Sequence, residues 1–468
     1  MFNKIIQILK INIMFSKKLL INLILFTFII ISQSYAQNLN LIQDAEIETT
    51  LFKWVKPILI KANLNPESIK IFLVNDDSIN AFVAGGQNIF INTGLITKAN
   101  NHNALIGVMA HEIGHISGGH LIKTNKAINR AQNTATIATI ITAGLMAISQ
   151  ASDTHIKGIS KLAAIGPSLA ARNFFKFSRD HEKFADAAAI RYLKEVNRPL
   201  TPLADLLNEI GKQELLHENR QDPYLRTHPI FKERINHIFN EANINNEKSI
   251  VISKSEKIEY KRIVAKIVAF TTPPGKTLLL YPKNNLSIEA RYARAIAYLR
   301  LSNFKKGTKE ISTLIKENNN DPFFPELLGQ MLFENGKIYE SIKMYKKSNQ
   351  LLPNNPIILL ALSKSQVEYG EEIEIINAKK NLKKILQNHP KNIAAWQLLS
   401  ITEARLNNIE LAQLYSAEAY FLLNDYNLAI NFAKKSRLLF EKNSPNDIRA
   451  QDIIYFSNER IKLLQQKN

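Results

Sequence analysis

Cysteine is absent from all 468 residues. That excludes disulfides, a thiol nucleophile, cysteine-ligated zinc and a lipidated N-terminal cysteine, so any zinc site must use imidazole and carboxylate. Long apolar runs are scarce as well. Leu19 to Ile31 spans 13 residues and Thr134 to Ser149 spans 16, the latter diluted by Thr and Gly, whereas a membrane span needs about 20. No basic stripe interleaved with aromatics occurs. A nucleic-acid partner is therefore not indicated by the net charge of +19, which follows Lys, Asn and Ile abundance along the whole chain. The length suits two or three domains.

What is present centres on His111-Glu112-Ile113-Gly114-His115, within the run NALIGVMAHEIGHISGGH from Asn103 to His120. At roughly 100° per residue, His111 and His115 sit about 40° apart on one helical face, so both imidazoles can grip one ion. Glu112 points to the flank, where a carboxylate suits proton abstraction from an attacking water better than ligation. Leu105, Ile106, Val108, Met109, Ile113 and Ile116 leave almost no polar face, which predicts a buried helix. Two imidazoles and a carboxylate are costly there unless a divalent cation partners them.

A catalytic zinc takes three protein ligands and keeps one position for water. His120 follows at HExxHxxGGH, one residue short of the spacing HExxHxxGxxH, and reads as a helix-end residue. Phe177 to Ile190, FSRDHEKFADAAAI, reads as a helix whose Phe184, Ala185, Ala188 and Ala189 form a small packing face towards the His111 helix. Glu182 and Asp186 lie four apart on one side. One carboxylate can ligate while the other accepts an imidazole N–H and orients the ring; a solvated pair is the plainer reading.

HEIGH followed by this ExxxD helix, and preceded by INAFVAGGQNIFINTGLI at 79–96, resembles the zinc metallopeptidases that include the CAAX prenyl protease and the heat-shock protease HtpX. The resemblance covers residues 40–240, and the soluble exported members with a helical-repeat tail are the most similar. It implies one zinc per chain at His111, His115 and Glu182, with Glu112 as base and Asp186 as supporting proton donor or orienter. It also picks out Thr227-His228-Pro229 and Arg234, with His228 either stabilising the oxyanion or occupying the metal's open position at rest. The implied architecture is mainly α: a zincin-like α+β metalloprotease domain with a small sheet, then an all-α tetratricopeptide-repeat solenoid. The implied partners are protein or peptide substrates, among them outer-membrane β-barrel proteins and their assembly machinery.

Residues 1–36 read as a signal peptide, with Lys17 and Lys18 ahead of the apolar core and Ser34-Tyr35-Ala36 at the cut, which predicts a periplasmic protein cleaved near Ala36. The protease domain is expected over 37–245. Within it, 41–69 looks helical, and Ile71 to Val74 and Asn88 to Ile91 read as strands around a Gly85-Gly86 turn. They form either an ordinary hairpin or an edge for an extended substrate just before the metal helix, with Thr93 as its cap. Thr134 to Ser149 reads as an apolar flap over the cleft or a peripheral membrane contact. Polar residues at 241–260 suggest a linker, and 246–285 a linker with the first helices. Leu328-Gly329, Leu362-Ser363 and Leu399-Ser400 then recur at 34 and 37 residues, the tetratricopeptide period, over a repeat domain at 286–468. Trp396, Ala412 and Ala419 fit that repeat, Pro353 and Pro390 end units, and the unit at EEIEIINAKKN is long. Such repeats stack to a concave face that binds peptides or proteins. The reading is an exported zinc endopeptidase acting on misfolded or stalled envelope proteins with chaperone-like help. A repeat-based assembly factor with a silent metal site is the alternative.

Overall fold

The computed structural model describes residues 40–84, 87–119, 169–215, 220–229, 232–244, 247, 250 and 253–466. The leader, Gly85-Gly86, His120 and the insert at Thr134 to Ser149 lie outside the described residues. Among those described, no helix is long and apolar enough to cross a membrane.

Helix α1 (Ala45–Lys61) starts where Asp44 accepts the Ile47 N–H, and it carries Glu46 and Glu48 in its first turn, both favourable at a helix N-terminus. Leu51, Trp54, Val55, Ile58 and Leu59 are buried as their spacing predicts. Strands β1 (Leu41–Ile42), β2 (Lys70–Val74), β3 (Ala81–Ala84) and β4 (Asn88–Asn92) form one sheet in the order β1-β2-β4-β3. The strands expected around 71–74 and 88–91 are present, but they run parallel, paired from Lys70↔Asn88 to Val74↔Asn92. The hairpin is instead β3 with β4, Ala81 opposite Ile91. The strand before the metal helix is therefore interior, and β3 is the edge. Alternation explains the faces: Ile71, Leu73, Ile89, Ile91 and Ala81 are buried in the core. Phe72, Phe90 and Phe82 stack across the other face at 5.1 and 5.0 Å.

Thr93 does not cap the metal helix. It opens a short helix α2 (Thr93–Lys98), and its hydroxyl donates to the Asp76 carbonyl at 2.9 Å, tying the loop after β2 to this corner. The chain then turns through Asn100 at φ 57°. Asn101 caps α3 (His102–Ser117), every residue of which is buried from His102 to Gly114. Against α3 pack α4 (Leu169–Glu195) and α5 (Thr201–Gly211), followed by α6 (Pro223–Thr227) and α7 (Lys232–Ile244).

The stretch expected as a linker is largely helix. Beyond α7, α8 (Lys254–Thr271) is capped by Ser253. Its Tyr260, Ile263 and Ile267 belong to the core of the first domain, and its Ala265 and Ala269 to the core of the repeats. Buried cations on α8 bind the two together: Arg262 pairs with Glu46 at 2.6 Å, and Lys266 with Asp44 at 2.8 Å and Glu46 at 3.3 Å. Tyr292 donates to Glu46 at 2.8 Å. Each of these buried charges is thereby met by an opposite one, without which it would be strongly destabilising.

After α9 (Pro274–Leu280) come helical pairs: α10 (Ile288–Arg300) with α11 (Phe304–Glu317), α12 (Phe323–Glu334) with α13 (Ile338–Leu351), α14 (Pro356–Tyr369) with α15 (Glu372–Asn388), α16 (Ile393–Arg405) with α17 (Ile409–Leu422), and α18 (Tyr426–Arg437) with α19 (Pro445–Gln465). They form a tetratricopeptide-like solenoid. The recurring pairs at 328, 362 and 399 sit at one place on the first helix of successive units. A small residue there admits the second helix: a Cβ on Gly329 would lie 3.1 Å from the Tyr345 ring. The long unit absorbs its extra residues in α15, of 17 residues against 14 in α13 and α17.

Candidate metal centre

Two helices and one turn build the site. Helix α3 presents His111 and His115, α4 presents Glu182 and Asp186, and the turn after α6 presents His228. Close approach of α3 and α4 depends on Gly114, where a Cβ would lie 2.8 Å from the Ala185 carbonyl oxygen and 2.9 Å from its Cα. Ala185, Ala188 and Ala189 are buried along the contact as expected, but Phe184 is 48% exposed and takes no part in that packing face.

One ligand atom from each of His111, His115, Glu182 and His228 falls within a cluster no wider than 4.8 Å. His111 Nε2 lies 3.1 Å from His115 Nε2, 3.3 Å from Glu182 Oε2 and 3.3 Å from His228 Nδ1. Glu182 Oε1 is 3.3 Å from His115 Nε2 and 3.2 Å from His228 Nδ1. Atoms about 2.0–2.1 Å from a tetrahedral zinc stand about 3.3 Å from one another. The spacing and the nitrogen and carboxylate donors both fit that ion.

Around this cluster, Asp186 Oδ1 lies 2.9 Å from His111 Nδ1 and so accepts from the ring edge turned away from the ligand atoms. Arg234 donates through Nε and Nη2 to Asp186 at 2.6 and 2.9 Å, and its Nη1 lies 2.9 Å from Glu182 Oε2. Glu112 is 1% exposed, and its Oε1 has no hydrogen-bond partner. His228 Nε2 is the near cation-forming group, at 3.4 Å. Tyr224 stacks on His228 at 4.6 Å, and its backbone N–H donates to the Ile79 carbonyl just before edge strand β3.

The electrostatics follow from this burial. Desolvation alone would depress His111, but hydrogen bonds to Asp186 and Glu182 push it up to about 10. His115 goes the other way, to about 3, through burial and the neighbouring imidazoles. Burial opposes ionisation of Glu182, yet His228, His111 and His115 hold it well below the usual range. Asp186 is drawn down to about 2 against burial by His111 and Arg234. Burial raises Glu112 above an ordinary carboxyl, partly offset by His228 and His111. A carboxyl raised in this way is a proton acceptor matched to neutral pH.

All six residues proposed from sequence, His111, Glu112, His115, Glu182, Asp186 and His228, come together here. Arg234 was marked only by its place after His228, with no partner assigned. Tyr224 was not singled out, and nothing in PYLRTHP signals a ring stacked on His228. His120 lies outside the described residues.

Residues 43–242 match the model of peptidase family M48. This stretch is a peptidase family M48 domain. The chain is 25% identical over 379 residues to the beta-barrel assembly-enhancing protease of Escherichia coli (strain K12), covering 79% of this chain and 74% of that protein. It is 23% identical over 419 residues to the putative beta-barrel assembly-enhancing protease of Vibrio cholerae serotype O1, covering 87% and 84%. Among solved structures, the repeats are similar to YrrB, described as a TPR protein with an unusual peptide-binding site, at 16% identity over 38% of this chain and 91% of that one, with a TM-score of 0.32. The M48 domain makes the chain a metalloprotease.

Proposed function

We propose that the chain is an exported zinc-dependent endopeptidase that cleaves misfolded or stalled envelope proteins and, through its repeats, assists outer-membrane protein assembly. The carrying observation is the convergence of four ligand atoms at 3.1–3.3 Å beside a buried, unpartnered carboxylate oxygen. His111, His115 and Glu182 hold the ion, with Asp186 fixing the His111 ring and Arg234 keeping both carboxylates ionised. When bound, zinc supplies Lewis acidity to a peptide carbonyl and to the attacking water. Glu112 takes the water's proton at Oε1 and returns it to the leaving amine. His228 occupies the fourth position at rest, so its Nδ1 has to withdraw for substrate to enter. An extended substrate adds to edge strand β3 by backbone hydrogen bonds, next to the Tyr224 and His228 segment.

The predicted leader at 1–36 and the likeness to assembly-enhancing proteases support an envelope location and β-barrel substrates. Metal analysis with casein hydrolysis tests the chemistry. Wild type and Glu112→Gln should each hold one zinc, and only wild type should hydrolyse. Proteolysis retained by Glu112→Gln would end this mechanism. His228→Ala should keep zinc and relieve the resting block, read as faster cleavage of a short peptide.

A further inference from the structure

Helix α9 and the loop that follows it hold apolar side chains out in water. Leu279 is 81% exposed, Leu280 54% and Leu286 72%. The outward face of α9 reads Lys276, Leu279, Leu280 and then Lys283, at i, i+3, i+4 and i+7, while Thr277 on the opposite side is fully buried.

This tip is braced. Arg294, only 2% exposed, donates Nη1 to the Pro282 and Asn285 carbonyls at 2.8 and 2.7 Å and is itself paired with Glu310 at 2.8 Å. Arg300 donates to the Ala269 carbonyl at 2.6 Å and to that of Thr272, closing the end of α8 beneath it. The leucines are thus presented on a fixed scaffold, which keeps the ordering cost of docking low.

Charge selects the occupant. No acidic residue occurs between Glu259 and Glu289, while Lys261, Arg262, Lys266, Lys276 and Lys283 do. Arg262 and Lys266 are buried against Glu46 and Asp44, and Lys261 reaches Glu289 at 3.9 Å. Lys276 and Lys283 are exposed and have no acidic partner among the described residues. A projecting apolar turn flanked by free ammonium groups is the pattern that seats at a lipid interface, leucines among acyl chains and lysines at anionic headgroups. We propose that the tip formed by α9 and residues 281–286 is a contact site for an anionic lipid surface. It is separate from the insert at Thr134 to Ser149.

The absence of cysteine allows a local test, because Leu279→Cys or Leu286→Cys carries a single polarity-sensitive fluorophore on the full chain. With vesicles of phosphatidylglycerol and phosphatidylethanolamine, either label should shift to the blue. With phosphatidylcholine alone neither should, and a label at Leu438→Cys, 85% exposed in the distant repeats, should stay in water with both. Adding Lys276→Gln and Lys283→Gln should weaken vesicle affinity about 25-fold, about fivefold for each lysine. Labels at 279 and 286 unmoved by anionic vesicles, an equal shift at 438, an equal response to neutral vesicles, or affinity unchanged by the lysine substitutions would each overturn the assignment. Labels shielded by a protein fraction but not by vesicles would overturn it in favour of a protein partner.

Discussion

Arg234 brings a permanent cation to a site otherwise made of carboxylates and imidazoles. Its contacts with Asp186 and Glu182 stabilise both as anions and fix their direction. Replacing it with Gln should lower zinc affinity about 10–100-fold, the usual effect of removing a partner of a ligand, with Arg234→Lys recovering part of the loss; competition with a chromophoric chelator measures it. His111 adds a pH dependence. Without metal it is pushed up to about 10, so at neutral pH a proton must leave before its Nε2 can ligate. Zinc affinity should therefore rise as pH rises from about 6 to about 9, with proton release visible by calorimetry in two buffers. A flat profile would contradict this. His111, His115, Glu182 and Asp186 were legible because each pair is four apart on one helix. Tyr224 and Arg234 act through the tertiary approach of α6 and α7, which local spacing does not encode.

At the scale of elements, Gly114 sets the gap between α3 and α4. Gly114→Ala would force a methyl group against the Ala185 backbone, separating the histidines from Glu182. The expected outcome is a folded protein by circular dichroism with zinc content well below one per chain. The helices of the M48 domain were readable from apolar periodicity and capping residues. The sheet was half readable: Ile71 to Val74 and Asn88 to Ile91 alternate clearly, but alternation does not name a strand's neighbour. Ala81–Ala84 and Leu41–Ile42 are too short to show a period, so both the parallel pairing and the position of the edge escaped the sequence.

In the whole molecule α8 is shared property. Its polar and basic outer residues resemble a linker, and the inward Tyr260, Ile263 and Ile267 reveal themselves only once the neighbouring domain is in place. Ile263, fully buried, should cost about 2–5 kcal/mol when replaced by Ala, and the chain should melt in one transition rather than two. The junction is also pH-sensitive. Burial, aided by Asp44 and Glu46 and opposed by Lys266, pushes Glu326 up to about 7 from 4.5. The native state then holds that proton more tightly than the unfolded chain. This stabilisation is complete below about pH 4.5 and is lost as pH rises through about 7. Glu326→Gln should accordingly raise the melting temperature at about pH 8 and change little at about pH 4.

The turns leading into successive first helices of the solenoid rest against the M48 domain at intervals. Asp321 meets Arg262, Asn355 Nδ2 donates to Thr49 Oγ1 at 3.2 Å, and His389 lies within electrostatic reach of Lys70 and Glu67. An array fastened at several rungs behaves as a brace and not as a swinging arm. Clients large enough to touch both halves must therefore thread a gap of set width, and selection by girth would be imposed before any bond is cut.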